Sequence, residues 1–325
     1  MIAWFVFQYE IGKEPRQMTE KIVDVHLHPF SLLEDNHLLT EMDGAGVDIA
    51  VLLAIDVDPE DLERPNIKRI IRNRLLEMYF FDAKKVIGEL KFFLEVARTG
   101  NKQVADLVKK HPDRFIGFGS VNLSKSQTYV EEKIREIDRL RLKGVKLIPT
   151  LQFFNPVAVK KNMETLFEYC EKEGKIVTCH TGCDPYVWEE PHFSQDANPK
   201  HLKSVVQDFE KVKVVVAHMG CYSARVPGVW LDEALELGKE NENVWFDISA
   251  VPYIVTYRKL ADKVRRTVGF DRVLFGSDYP AIGGGELSIE SMVAEVKGSA
   301  CLTDEEKERV LRTNAASLFG LESNQ

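Results

Sequence analysis

The 325-residue chain is poor in cysteine. It has five cysteines, and no two of them are spaced as a CxxC pair. The odd number and the missing CxxC spacing argue against a disulfide framework and against a structural zinc site built from thiolates. Mostly free thiols are typical of intracellular proteins, so the sequence predicts a cytoplasmic location. The five residues are Cys170, Cys179, Cys183, Cys221 and Cys301.

The chain also lacks a long apolar run and a surplus of basic residues. No stretch approaches the roughly 20 apolar residues of a membrane span, and the net charge is -8. These properties argue against a membrane protein and against nucleic acid as a main partner, and they leave a small-molecule substrate as the expected partner. The apolar start, MIAWFVF, has no positively charged region and no small-residue cleavage site, so no signal peptide is expected. We predict that residues 1–17 are an extension before a natural start at Met18, and that one domain spans residues 18–325.

Two nucleotide-binding motifs are missing as well. No GxGxxG follows the first β-rich run, and no P-loop sequence occurs. The chain instead contains eight short apolar runs that alternate with stretches of helical period, as buried parallel strands and their connecting helices do. Eight such units predict an α/β protein with a (β/α)8 TIM barrel, and an open doubly wound sheet is the alternative. The runs are 22–28, 47–55, 115–121, 144–149, 175–182, 213–220, 244–250 and 273–280.

The connection between the second and third runs, residues 57–113, is longer than a single barrel helix requires. Its pattern is mostly helical and rich in charge. We interpret it as a helical insertion, placed over the barrel mouth or used as a dimer contact, so a homodimer is an option. Apolar stripes predict further helices over 127–142, 160–173, 204–209 and 230–237. Near the end of the chain, Thr303 and Glu306 form a capping-box pattern.

The stretch DVHLHPF, residues 24–30, places two histidines one residue apart at the end of the first run. On a strand, alternate side chains share a face. Asp24, His26 and His28 should therefore point one way, and Val25 and Leu27 the other. Two imidazoles on one face can chelate a metal ion, although the pair alone fits a buried structural role equally well.

Other polar residues end other strands of the predicted barrel. Because the carboxyl ends of barrel strands meet at one mouth, these side chains should converge there. Imidazole and carboxylate groups suit zinc and other divalent transition metals, and a site with an open position can hold a water molecule and lower its pKa. With the two histidines of the first strand, the residues in question are Lys146, His180, His218 and Asp278.

Five short motifs occur in order on successive strands: HxH, GVKL, CHTG, AHMG and FGSDYP. In this order the chain resembles the amidohydrolase superfamily, and in particular the branch that includes aminocarboxymuconate-semialdehyde decarboxylase. The resemblance covers about residues 22–321. It implies that His26, His28, His180 and Asp278 bind one divalent metal ion, commonly zinc, with manganese or iron as alternatives. It also implies that Asp278 takes a proton from water at the metal and that His218 orients or polarises that water.

The roles of four further residues stay open. Lys146 is carbamylated between two metals in some superfamily members; here it could also bind a substrate carboxylate or pair with a buried acid. Arg225 could hold a substrate carboxylate or be a surface charge. Trp188 is a candidate for the wall of the substrate pocket. Asp247 is either a support for a metal ligand or a plain buried aspartate.

The predicted site suits two reactions. One is hydrolysis of an amide, ester or lactone in a small, cyclic, carboxylate-bearing substrate by activated water. The alternative is non-oxidative decarboxylation of an aromatic or unsaturated acid, as in the branch that the chain resembles. Because the superfamily is mostly hydrolytic, the sequence favours a hydrolase.

Overall fold

The structure is a computed structural model that describes residues 21–30, 35–76, 83–184, 189–280 and 288–321. Its centre is a parallel sheet of eight strands that follow one another in chain order, β1 to β8. The strands are β1 (Val23–Leu27), β2 (Ile49–Leu53), β3 (Phe115–Ser120), β4 (Gly144–Leu147), β5 (Ile176–Gly182), β6 (Val214–Tyr222), β7 (Val244–Asp247) and β8 (Val273–Leu274). Each of the eight predicted runs therefore overlaps one strand, and β6 extends beyond the end of its run.

Backbone hydrogen bonds between β1 and the segment after β8 close the sheet. The amide of Val25 donates to the carbonyl of Phe275 at 3.0 Å, and the amide of Asp278 donates to the carbonyl of His26 at 2.8 Å. The amide of His28 donates to the carbonyl of Tyr279 at 2.9 Å. These contacts make the sheet a barrel and confirm the predicted (β/α)8 fold.

Helices surround the barrel. They are α1 (Asp35–Ala45), α2 (Pro65–Leu76), α3 (Ala83–Ala97), α4 (Asn101–Lys110), α5 (Gln127–Arg139), α6 (Lys160–Glu173), α7 (Lys203–Asp208), α8 (Leu231–Glu240), α9 (Tyr253–Thr256), α10 (Arg258–Thr267), α11 (Ile289–Gly298), α12 (Asp304–Glu308) and α13 (Asn314–Phe319). The capping box at Thr303 and Glu306 is present and begins α12. Among the described helices, none has the length and apolar character needed to cross a membrane.

Two layers of apolar side chains pack against the strands. The outer core lies between strands and helices and includes Val177 of β5 and Leu166 of α6. The inner core fills the barrel axis with alternate strand residues, such as Val51 and Phe118. Leu318 of α13 joins the inner core, so this last helix covers the amino-terminal end of the barrel. The carboxyl-terminal end is thereby left for the polar residues.

A substitution at Gly238 of α8 tests how tightly the outer core is packed. A Cβ atom at this position would lie 2.3 Å from the Cζ atom of Phe246 in β7. Because both groups are packed, we expect Gly238→Ala to lower the free energy of unfolding by about 1–3 kcal/mol, as overpacking commonly does. Gly88→Ala in α3 is the matched control, since no heavy atom lies within 4 Å of its Cβ position; it should stabilise the protein by about 0.5–1 kcal/mol. Urea unfolding of both variants measures the difference, and equal midpoints would contradict this packing.

The connection between β2 and β3 has two parts. Helix α4 packs on the barrel through Val104 and Leu107, which belong to the outer core. Helices α2 and α3 instead share a separate apolar cluster with residues that follow β2 and β4. We call these two helices, together with the cluster, the roof. The buried members of the cluster are Ile55, Val57, Leu62, Ile67, Ile71, Leu90, Leu94, Ala97, Ile148 and Leu151. The roof therefore covers one side of the barrel mouth.

Candidate functional site

Strand β1 is irregular where it carries the two histidines. Its register with β2 shifts between Asp24 and Leu27. Val25 belongs to the inner core and Leu27 to the outer core, so the predicted alternation, which put both on one face, is wrong here. The carboxylate of Asp24 accepts hydrogen bonds from the amides of His26 and Ser277, both at 3.0 Å, in place of regular ladder bonds. The irregularity leaves both imidazoles at the mouth.

Three polar atoms meet at this point. The Nε2 atoms of His26 and His28 lie 3.2 Å apart, and each lies 3.3 Å from Oδ1 of Asp278. Two ligands at the usual distance from a tetrahedral zinc ion are about 3.3 Å from each other. The donor atoms of His26, His28 and Asp278 therefore have the spacing and the chemistry of ligands to one divalent cation.

Asp247 orients the imidazole of His26 through the ring nitrogen that faces away from the mouth. Its Nδ1 lies 3.0 Å from Oδ2 of Asp247, so the proton sits on Nδ1 and the lone pair of Nε2 faces the mouth. Burial, with the nearby charge of Lys146, lowers the pKa of His26 to about 3. A neutral imidazole is the form that binds metal ions. Asp247 thus has the position of a support for a ligand, which is one of the two roles that the sequence left open.

Asp278 and His218 both occupy unusual backbone conformations. Their φ angles are 63° and 59°, in the left-handed region that residues other than glycine rarely adopt. Each costs on the order of 1–3 kcal/mol and persists only where neighbours hold it, and such positions cluster at functional sites. The amide of His218 is held by Oδ1 of Asp247 at 2.9 Å. Burial alone would raise the pKa of Asp278, but the hydrogen bond with His28 and the neighbouring imidazoles outweigh it and lower the pKa.

His180 lies beside this group and faces a second carboxylate. Nδ1 of His218 donates to the carbonyl of Ser249 at 2.8 Å, so its Nε2 accepts from Nδ1 of His180 at 3.1 Å. The Nε2 atom of His180 is then a buried lone pair without a hydrogen bond, and Oδ2 of Asp184 lies 3.3 Å away. Two acceptors this close favour a cation between or beside them. A metal ion therefore fits the residues present here.

The structure brings most of the predicted site together. His26, His218 and Asp278 each present an atom within 4.8 Å of the others, a spacing that a metal ion could use. Lys146 is fully buried, and its Nζ lies 2.9 Å from Nε2 of His26. Burial lowers the pKa of the Lys146 ammonium group. The lysine thus places a further nitrogen atom beside the Nε2 atom of His26.

A cavity of about 80 Å³ opens onto these groups. Six of the residues that line it are polar and six are apolar, and we call these two sets its polar half and its apolar half. The polar half consists of His28, Lys146, His180, Asp184, Tyr222 and Asp278, and the apolar half of Phe30, Ile55, Phe93, Ala97, Ile148 and Leu151. A small molecule with one charged end and one apolar end would match both halves.

Asp184 was missed by the sequence reasoning. It follows β5, is 5% exposed and accepts a hydrogen bond from Thr150. Burial raises its pKa to about 7. Its only signal in the sequence was its place four residues after His180, just beyond a strand end. The cavity therefore contains two carboxyl groups, Asp184 and Asp278, in different environments.

Arg225, which was predicted to bind substrate, lies on the surface of the protein. The side chain of Arg225 is 65% exposed and pairs with Glu190 at 2.8 Å, and Arg225 is not among the cavity-lining residues. In the structure Arg225 is a surface charge, which is one of the two options that the sequence left open, and its contact with substrate stays a prediction. Trp188 lies outside the described residues.

Comparison with known proteins gives a family match over nearly the whole chain. The family described as amidohydrolase matches residues 23–321. A curated relative, 2-amino-3-carboxymuconate-6-semialdehyde decarboxylase of Dictyostelium discoideum, is 24% identical, and the match covers 83% of this chain and 77% of that enzyme.

Solved structures share the fold. The probable 2-pyrone-4,6-dicarboxylic acid hydrolase of Acinetobacter baumannii superposes with a TM-score of 0.62 at 15% identity, covering 92% of this chain and 99% of the other. The 5-carboxyvanillate decarboxylase of Novosphingobium aromaticivorans, with manganese and a nitrobenzoic acid bound, has a TM-score of 0.58 at 18% identity, covering 89% and 81%. At these identities the structures support the barrel alone.

Proposed function

Because the chain belongs to the amidohydrolase family of metal-dependent enzymes, we propose that it is a decarboxylase of a small aromatic or unsaturated carboxylic acid. The observation that carries the proposal is the divided cavity, polar at the candidate metal ligands and apolar at the roof. The decarboxylase activity of the curated relative supports the same reaction. The sequence alone favoured hydrolysis, and the decarboxylase activity of the curated relative is what changes that order.

His26, His28 and Asp278 would hold one divalent cation, with His180 as the fourth ligand. When bound, the cation would fix a substrate oxygen and draw electron density from it. Zinc is the expected ion, and manganese is the ion bound in the 5-carboxyvanillate decarboxylase. Lys146 lies at the same end of the cavity, where its Nζ can donate a hydrogen bond to a substrate carboxylate.

The reaction breaks the bond between the substrate carbon and its carboxylate. Carbon dioxide leaves, the bonding electron pair stays on the carbon, and a proton must replace the lost group. The carboxylate would lie in the polar half, and the apolar half would hold the apolar body of the acid. Asp184 lines the polar half and is the carboxyl group placed to deliver the proton.

Carbon dioxide release is the direct test. Protein loaded with zinc or with manganese is offered hydroxybenzoates, methoxybenzoates and small unsaturated acids, and the same protein stripped by a chelator is the control. We expect release from at least one acid with the loaded protein and none with the stripped protein. No release from any acid, together with metal-dependent opening of a lactone, would overturn decarboxylation in favour of hydrolysis.

Hydrolysis of a lactone, ester or amide is the second candidate. It is favoured by Asp278 and His218, which approach the same point from two strands. There the carboxylate of Asp278 can accept a proton from water, with the imidazole of His218 beside it. Cyclic esters belong in the same assay for this reason.

A further inference from the structure

Helix α3 has an apolar face that is turned toward the barrel and an opposite face that is exposed to solvent. Leu90 and Leu94 are buried in the roof cluster. Phe93 and Ala97, four residues apart and so on one side of the helix, line the cavity. Phe92, next to Phe93, points away and is 69% exposed. One side of α3 therefore closes the apolar half of the cavity.

The carboxyl-terminal end of α3 is fixed to the barrel. Just after the helix, the amide and carbonyl of Thr99 exchange hydrogen bonds with those of Ile55, at 3.2 Å and 2.9 Å. The hydroxyl of Thr99 donates to the carbonyl of Pro29 at 3.3 Å. An ion pair of 2.7 Å joins Lys91 to Glu60 on the segment before α2. These contacts tie the last turns of the helix, and with them Phe93 and Ala97, to the ends of β1 and β2.

The two cavity residues differ in size. The ring of Phe93 takes up space that a longer substrate would need, and the methyl group of Ala97 leaves space that a larger side chain would fill. Fixed apolar walls select by volume, because each methylene that does not fit costs binding energy. Phe93 and Ala97 lie on a fixed helix end, so they form a wall that selects by volume.

We infer that Phe93 and Ala97 determine which substrates enter. They admit a carboxylic acid with a short, flat apolar body and exclude acids that are extended at the end opposite the carboxylate. The inference rests on the proposed function in one respect, namely that the carboxylate lies at the His28 and Lys146 end of the cavity. The opposite end of the acid then meets α3.

The test compares two acids that differ only at the end opposite the carboxylate, benzoate and the longer and bulkier 4-tert-butylbenzoate, by calorimetric titration of zinc-loaded protein. Wild-type protein should bind benzoate more tightly. Phe93→Ala should shift the ratio of the two dissociation constants toward 4-tert-butylbenzoate by at least about tenfold, and Ala97→Leu should weaken benzoate by at least about tenfold. Phe92→Ala is the matched control, and its ratio should stay within about twofold of wild type.

Thermal unfolding of each variant shows whether it is folded. If only one of the two cavity variants folds, that variant is sufficient for the test. An unchanged ratio in folded Phe93→Ala, or an equal shift in Phe92→Ala, would overturn the inference. So would wild-type protein that binds neither acid; about one zinc ion per chain in that sample would still support the metal centre. Conversely, a shifted ratio in a protein without metal-dependent turnover would support the wall and contradict the proposed function.

Discussion

The double variant His26→Ala/His28→Ala is expected to purify without a bound metal ion and without measurable turnover. It removes two of the three donor atoms that lie 3.2–3.3 Å apart at the mouth. The remaining carboxylate of Asp278 and imidazole of His180 are too few to hold a transition metal in a closed site. Elemental mass spectrometry of protein purified without chelator gives the metal content per chain.

The matched control for this variant removes two histidines elsewhere. His111→Ala/His201→Ala changes the end of α4 and a segment before α7, so it should keep the wild-type metal content. We expect about one ion per chain in wild type and in the control. About two ions would assign Lys146 to a carbamylated bridge between metals. Full metal content in His26→Ala/His28→Ala would refute the metal centre.

Asp278→Asn is expected to lower kcat by about 10²–10⁴-fold while the barrel stays folded. The substitution keeps the size of the side chain but removes the negative charge and the ability to accept a proton. The left-handed backbone at position 278 suits asparagine, which tolerates this conformation better than most residues. The loss should therefore fall on chemistry and metal affinity rather than on folding.

Circular dichroism and the unfolding midpoint of Asp278→Asn separate these effects, and kcat is measured with saturating metal. Asp43→Asn serves as the control, because that carboxylate is 65% exposed and pairs with Arg114 at the surface. A variant at position 278 with more than about a tenth of wild-type turnover would show that the carboxylate does not act in the reaction.

The sequence was sufficient for the barrel and for the convergence of most candidate residues at one mouth, because both depend on periodic signals. Apolar runs mark buried strands, and polar residues such as His180 and Asp278 at their ends must meet at one mouth. The β1 irregularity was not readable, because it arises from hydrogen bonds of Asp24 to an amide that is distant in sequence. The surface position of Arg225 was not readable for a similar reason, since its partner Glu190 lies on another loop.

The same limit explains what the sequence did not reveal about the cavity. Asp184 has no periodic signal, and its position is set by Thr150 from a different strand connection. The apolar wall depends on the way α3 is fixed through Thr99 and Ile55. Contacts between separate loops are tertiary properties, and hydrophobic periodicity does not encode them.

The closure of the barrel between β1 and the segment after β8 has a consequence for the order of events during synthesis. The amide of Asp278 bonds to the carbonyl of His26, so the first-made and one of the last-made donor residues become neighbours only when the ring closes. A nascent chain still on the ribosome carries both histidines of β1 long before the aspartate emerges. A cation that needs all of these donors would therefore bind only when translation is nearly complete, and its binding to the folded chain would stabilise the closed barrel.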